Sequence, residues 1–195
     1  RGIFLINNFS KIFEKIVYDK LLKFLERNNF FNPRQFGFRK NISTSHAIIN
    51  LLNIISEGLS NNKLVLAILL DLQKCFDTIS HDLLFAKLEN YGVRGTALLW
   101  FKSYFSNRKQ KVYVNGVFSS NERTISIGVL QGSVLGVLLF LIYVNDINNA
   151  TDLLLSNLFA DDNAATVTAN NLPQLMDRAN TELSKLTEWY NANLL

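Results

Sequence analysis

Three aspartates in two places could do chemistry together. Asp71 closes the apolar run LVLAILL, and Asp161 and Asp162 stand side by side in NLFADDNAATV, among apolar and small residues. Neighbouring carboxylates repel each other, and burial in low dielectric disfavours their charge. A segment written for stability alone would not place two of them there, so something should compensate. LLLSNLFA and NAATVTA have the composition of strands, which predicts a strand, a two-residue tip carrying the aspartates, and a second strand. If that hairpin neighbours the strand ending at Asp71, three carboxylates converge. Hard oxygen ligands of this kind suit Mg²⁺, which takes one or two carboxylates and completes its shell with water and substrate phosphates. Two such ions about 4 Å apart can stabilise the attacking and leaving oxygens of an in-line phosphoryl displacement. The same spacing also fits a polar turn and a strand-capping aspartate, since turn aspartates are common.

Other segments carry weaker signals. Asp77, His81 and Asp82 in DTISHDLL could form an acid–base site, but acidic residues also favour helix N-termini, and that reading is preferred. His46 falls at a helix start and reads as structural. GVLQGSVLG lacks the lysine and spacing of a P-loop. Its glycines would still let backbone approach a ligand closely, and the Gln131 amide can donate and accept. Basic residues interleave with aromatics in RQFGFRK, with Arg39 and Lys40, and in FKSYFSNRKQK, with Arg108 and Lys109. Phosphate contacts plus stacking suit nucleic acid; a solvated helix end or hairpin edge fits equally.

These residues need a scaffold. The 195 residues are 48% hydrophobic and 18% charged, enough for one sizeable core. The composition excludes a disordered chain. A net charge of +4 hints mildly at a polyanionic partner. One cysteine, Cys75, excludes an internal disulfide framework and a cysteine zinc site. The longest apolar run, VLGVLLFLIYV, is short of the roughly 18–20 residues that span a bilayer, so it predicts a buried element. RGIFLINNFSK has no signal-peptide features. A start at arginine and a stop at Leu195 lead us to expect a fragment of a longer polypeptide. Phe9, Ile12, Phe13, Ile16, Val17, Leu21, Phe24 and Leu25 predict a first helix, and Ala47 to Ile55 a second, capped by Ser43 or Thr44. LVLAILL reads as a strand buried on both faces. Ser80 caps DLLFAKLENYG, TALLWFKSYFSN is another helix, and the Asn-Gly of KVYVNGVFS predicts a hairpin that ERTISIG would extend. The glycine-rich loop leads into the helix VLLFLIYVNDI. Asn171 and Pro173 open a last helix with Leu175, Met176, Ala179, Leu183 and Leu186 on one face. Strands and helices mix without strict alternation, which argues for α+β.

The order of the blocks LAILLDLQKCFDTISHDLL, GVLQGSVLGVLLFLIYVNDI and FADD resembles the reverse transcriptase family. The detail is closest to non-LTR, LINE-like retrotransposons of the jockey type. QFGFRKNIST, WFKSYFSNRKQKVYVNG and LSKLTEWYNANLL are similar to the same family, so the resemblance covers nearly the whole chain. It implies a right-hand polymerase fold in one truncated domain. Fingers would lie mainly in 1–62 and 82–125, and palm, an antiparallel sheet packed on helices, mainly in 63–81 and 126–195, with the thumb absent.

The resemblance implies roles residue by residue. Asp71 matches the first metal-binding aspartate, and Asp161 and Asp162 match the family pair. Leu72 would offer its carbonyl to the metal. Phe76 matches the aromatic gate that leaves no room for a ribose 2′-hydroxyl. Gln131 and Gly132 match the loop lining the incoming nucleotide, and Arg1 the fingers arginine on the triphosphate. Implied cofactors are two Mg²⁺ ions, with Mn²⁺ as a substitute. Implied partners are an RNA template, a DNA primer or target and dNTPs, with no membrane, in the nucleus and cytoplasm. The isolated segment is expected to be weak or inactive. Leu130, Val137 and Gly2 stand where the family usually has proline, and Asn163 where threonine is common. Rival readings are a non-catalytic nucleic-acid-binding remnant and a reverse transcriptase of the group II intron type.

Overall fold

The computed structural model describes residues 5–195. The central sheet has three antiparallel strands in the order β1 (Leu64–Asp71), β7 (Asp162–Ala169), β6 (Leu155–Phe159). Between β1 and β6 the chain builds α3 (Cys75–Thr78), α4 (His81–Asn90), α5 (Thr96–Phe105) and α6 (Val134–Val144). Two small two-stranded sheets also lie there. β2 (Lys109–Gln110) pairs with β5 (Arg123–Thr124), and β3 (Tyr113–Val114) pairs with β4 (Val117–Phe118). The predicted Asn-Gly turn joins β3 to β4. Asn115 and Gly116 take φ of 49° and 84°, the paired positive values of the hairpin turn. ERTISIG does not lengthen this hairpin but supplies β5 to a separate ladder.

The core is organised by α6. VLGVLLFLIYV is apolar all round, so it must be covered on every side. Leu135, Phe140, Ile142 and Tyr143 are fully buried, among α1 (Asn8–Arg27), α4 and α5. Among the described residues no helix is long and apolar enough to cross a membrane. α7 (Leu172–Ala192) lies on one face of the sheet, where Leu183, Leu186 and Tyr190 meet Ile68, Leu158 and Ala165. Its start is as expected: Gln174 N donates to Asn171 Oδ1 at 3.0 Å, with Pro173 in the first turn. Tyr143 ties α6 to the end of α7 by donating to the Asn193 carbonyl at 2.6 Å.

Three further expectations change. β1 is not buried on both faces. It is an edge strand, with Leu66, Ile68 and Leu70 turned to α7 and Leu69 79% exposed. An apolar run alone cannot distinguish a strand buried on both faces from an edge strand whose second face is only partly covered, here by α2 (Thr44–Ser60). In α1 the buried positions are Leu21, Leu25 and, unexpectedly, Glu14, whereas Phe9, Ile12, Phe13 and Ile16 are exposed. In α7, Met176 is exposed and Glu182 takes a buried place.

Glu182 is buried because it satisfies backbone. Its Oε2 accepts from Asp152 N at 2.8 Å and Leu153 N at 3.0 Å, and its Oε1 from Lys185 Nζ at 2.8 Å. Burial alone would raise its pKa, but Lys185 and the two amides outweigh it and hold the carboxyl below its ordinary value of 4.5. A depressed folded pKa contributes stability that is full above the unfolded value and lost as pH falls through the folded one. The melting-temperature gap between wild type and Glu182→Gln should therefore shrink on acidification below 4.5. A gap that stays constant from about pH 6 to about pH 3 would sink this assignment.

Candidate active site

The ladder between β1 and β7 runs from Leu64 opposite Ala169 to Asp71 opposite Asp162. The hairpin from β6 into β7 closes with Phe159 opposite Asp162. The two-residue tip is therefore Ala160–Asp161, not Asp161–Asp162 as expected, and Asp162 is the first residue of β7. Ala160 takes φ +59° to make the turn, an uncommon conformation for a residue with a Cβ. The expected meeting of three carboxylates becomes a facing pair, Asp71 and Asp162, with Asp161 one residue earlier in the turn. Among the described residues no three acidic, histidine or cysteine side chains form a group that could hold a metal ion.

The facing pair still has the chemistry of a cation site. Both carboxylates are exposed, and like charges directly opposite each other destabilise a sheet. Among the described residues no lysine or arginine forms an ion pair with either. Two hard carboxylates supply as many protein ligands as Mg²⁺ usually takes, with water and substrate phosphate filling the rest. A divalent ion fits this pair. Beside it an apolar groove of about 290 Å³ runs between α2 and the sheet face opposite α7, lined by Ile48, Leu51 and Leu69.

Beyond Asp71 the chain turns into α3. Leu72 packs its side chain on the core. The Phe76 ring is half-buried and stacks on Phe140 of α6, with centroids 4.5 Å apart and planes 23° from parallel. The Phe76 carbonyl accepts from Val129 N at 2.7 Å, which brings the glycine-rich loop alongside. Gly128, at φ +85°, leaves no room for a side chain: a Cβ there would sit 2.8 Å from the Asp77 carbonyl oxygen. His81 Nε2 donates to the Gly128 carbonyl at 2.8 Å, and its ring packs 4.3 Å from Phe105. That contact ties His81, the first residue of α4, to the glycine-rich loop. His46 Nδ1 accepts from Ser43 N at 3.1 Å at the start of α2.

Gln131 is half-buried, and Gly132 is exposed with φ +94°. Ser133 caps α6 by accepting from Gly136 N at 2.8 Å. Leu130, which the resemblance sets in the place of a proline, is buried. Asn163 donates to Ser156 Oγ and Tyr190 Oη at 3.2 and 3.3 Å, so its side chain serves the contact with α7. The basic residues divide in two. Arg39 donates to the carbonyls of Asn32 and Gln35, and Arg108 donates to the Tyr104 carbonyl while stacking 4.0 Å from its ring. Lys40 and Lys109 are exposed. Lys109 and Arg108 line a groove of about 650 Å³ with Lys111, Tyr113, Phe118 and Leu130. Arg1 lies outside the described residues.

Sequence reasoning missed Gly37. Residues 34–37 run along the free edge of β6: Phe36 N donates to the Leu158 carbonyl and Leu158 N to the Arg34 carbonyl, both at 2.8 Å. This brings Gly37 against the hairpin tip. A Cβ on Gly37 would lie 2.3 Å from Ala160 N and 2.9 Å from the Phe159 carbonyl carbon. Its only sequence signal was a glycine between two aromatics, which does not say what it touches.

A three-stranded antiparallel sheet ending in paired aspartates, with a glycine-rich loop and a buried helix beside it, agrees with the resemblance drawn from the motif order. The chain belongs to the reverse transcriptase family: residues 1–194 match the family described as "Reverse transcriptase (RNA-dependent DNA polymerase)". Within it the chain is similar to polymerases of jockey-like non-LTR retrotransposons. It is 31% identical over 153 residues to the probable RNA-directed DNA polymerase from transposon BS of Drosophila melanogaster, covering 75% of this chain and 16% of that protein. It is 26% identical over 193 residues to the RNA-directed DNA polymerase from mobile element jockey of the same species, covering 95% and 21%. The chain thus spans about a fifth or less of the length of these relatives. Its fold is similar to that of telomerase from Candida albicans, solved with a fragment of telomeric RNA. The TM-score is 0.53 at 15% identity, covering 90% of this chain and 32% of that one; at that identity the likeness concerns the fold alone.

Proposed function

We propose that this domain adds deoxynucleotides to a primer 3′-hydroxyl on an RNA template, as the polymerase part of a jockey-like retrotransposon protein. The observation that carries the reading is the facing Asp71–Asp162 pair, exposed and without a cationic partner among the described residues, at the end of the central ladder. The sheet with α6 and α7 is the palm, mainly 63–81 and 126–195. The rest, 1–62 and 82–125, is the fingers.

Asp71 and Asp162 hold divalent metal, the general cofactor of the family, with Asp161 and the Leu72 carbonyl completing the protein's share. Bound Mg²⁺ supplies Lewis-acid stabilisation of the attacking and leaving oxygens. The other residues position the reactants, which is most of catalysis in phosphoryl transfer. Gln131 and Gly132 line the incoming nucleotide, and positive φ at Gly132 keeps backbone close to it. Arg1 takes the triphosphate. Lys40 and Lys109, with Arg39 and Arg108, face the phosphates of template and primer. Phe76, backed by Phe140, presses on C2′ of the sugar and excludes a 2′-hydroxyl.

The test is Mg²⁺-dependent extension of oligo(dT) on poly(rA) by the full-length polypeptide that carries this domain. Extension supports the proposal. Salt-sensitive RNA binding with no extension would replace it with a non-catalytic nucleic-acid-binding remnant. In the same assay Phe76→Ala should raise ribonucleotide incorporation by about tenfold or more. An unchanged dNTP/rNTP ratio would remove Phe76 from the gate.

A further inference from the structure

Glu14 is the odd residue of α1. It is 1% exposed, and among the described residues no lysine, arginine or histidine forms an ion pair with it. A buried carboxylate without a cation costs stability unless its lone pairs are satisfied. Here three donors satisfy them. Tyr104 Oη of α5 donates to Oε1 at 2.8 Å, and Val134 N and Leu135 N donate to Oε2 at 2.8 and 3.5 Å.

The two amides belong to the first turn of α6, where N–H groups have no partner inside the helix and the dipole favours negative charge. The next amide, Gly136 N, is taken by Ser133 Oγ. The opening turn of α6 is thus capped partly from within and partly from another helix. Tyr104 is well suited as the third donor. Burial pushes its pKa upward, with the Arg108 cation opposing and the Glu14 carboxylate adding to the rise, so the phenol stays protonated.

This cap sits at one end of the glycine-rich loop. The other end is held by Val129 N donating to the Phe76 carbonyl and by His81 donating to the Gly128 carbonyl. Gln131 and Gly132 lie between the two anchors, and Glu14 is the outer anchor at the α6 end. An apolar residue of similar size could fill the same space, but it could not accept from Val134 or Tyr104.

We propose that Glu14, held by Tyr104, is a positioning residue that fixes the Gln131–Gly132 loop and thereby tunes affinity for the incoming nucleotide. The nucleotide half of this inference rests on the polymerase reading; the loop half stands on geometry alone. Two measurements separate them.

The first is amide hydrogen exchange on the 195-residue chain. Glu14→Ala should speed exchange across residues 130–137 by about tenfold or more, the scale of losing buried hydrogen bonds, and leave β6, β7 and α7 as in wild type. Glu14→Gln, which can still accept from Val134 N, should remain close to wild type. Tyr104→Phe, which keeps the ring, should loosen the same segment to a smaller extent. Unchanged protection at 130–137, or faster exchange everywhere alike, overturns the proposal, because a purely structural glutamate would loosen the core as a whole.

The second is primer extension by the full-length polypeptide. Glu14→Ala should raise KM for dNTP by about tenfold with primer–template affinity unchanged, and Glu14→Gln should restore it. A drop in kcat with unchanged KM for dNTP overturns the nucleotide half. If wild type extends no primer while Glu14→Ala still loosens 130–137, the polymerase reading fails and the loop anchor stands.

Discussion

Asp162→Ala abolishes primer extension by the full-length polypeptide and leaves the fold, read by circular dichroism, intact. Asp162 opens β7 directly across from Asp71, exposed and outside the core clusters. Its removal opens no cavity and orphans no buried donor. What it removes is half of the facing pair, one of the two carboxylates placed to hold the ion beside its waters and substrate phosphates. Rate losses on removing an electrostatic group that acts on the transition state run from about a hundredfold upward. Loss of a metal ligand should exceed that and take extension below detection.

The opposite effect is expected on stability. Two like charges facing each other destabilise the ladder, so the variant should melt at or above the wild-type temperature in metal-free buffer. Catalytic loss without stability loss marks a functional charge. Undiminished extension, or extension lost together with a lower melting temperature, would take Asp162 out of the metal site.

Gly37→Ala should be the second most damaging substitution, though Gly37 carries no chemistry. Its added Cβ would meet Ala160 N at 2.3 Å, a backbone atom that cannot swing aside. Either residues 34–37 leave the edge of β6 or the Ala160–Asp161 tip moves. The first course breaks the hydrogen bonds between Phe36 and Leu158 and between Leu158 and Arg34. The second displaces Asp161 and the start of β7 at Asp162. Overpacking of this kind costs about 1–3 kcal/mol, which lowers the melting temperature by roughly 2–4 °C per kcal/mol in a domain of this size. A displacement of about 1 Å at a reacting centre costs roughly a hundredfold in rate. The expected result is a folded variant, several degrees less stable, that extends primer at about a hundredth of the wild-type rate. Full activity with normal melting would show that the tip tolerates the shift and that Gly37 does not support it.

Leu130, which the resemblance sets in the place of a family proline, has a physical context. Leu130 is buried beside the loop, and the loop is pinned at Phe76 and Glu14 rather than by its own ring constraint. Asn163 turns its amide to Ser156 and Tyr190. The difference from threonine that the resemblance implies there therefore falls on the contact with α7.

Much of the fold and site was legible in the residues themselves. Among the described residues the six longer helices follow from apolar patterning and caps such as Ser80, Ser133 and Asn171. The β3–β4 turn follows from Asn115-Gly116, which needs positive φ. The family follows from the order of the DLQKCFD, LQGS and FADD blocks. All of these are local: a few consecutive residues contain the whole cause.

Which residues meet across the fold depends instead on strand register and on helix packing, and neither is a property of a short segment. One residue of register made Ala160–Asp161 the tip and set Asp162, rather than both aspartates, opposite Asp71. The chain order of β1, β6 and β7 does not reveal that β7 lies in the middle and β1 at an edge with Leu69 in the open. Gly37 against Ala160, and Glu14 under the first turn of α6, join positions more than a hundred residues apart. Sequence alone determined the family, the longer helices and the residue types able to bind a cation. Only tertiary structure decided which carboxylates face each other and what holds them there, because those contacts form when separate elements close on one core.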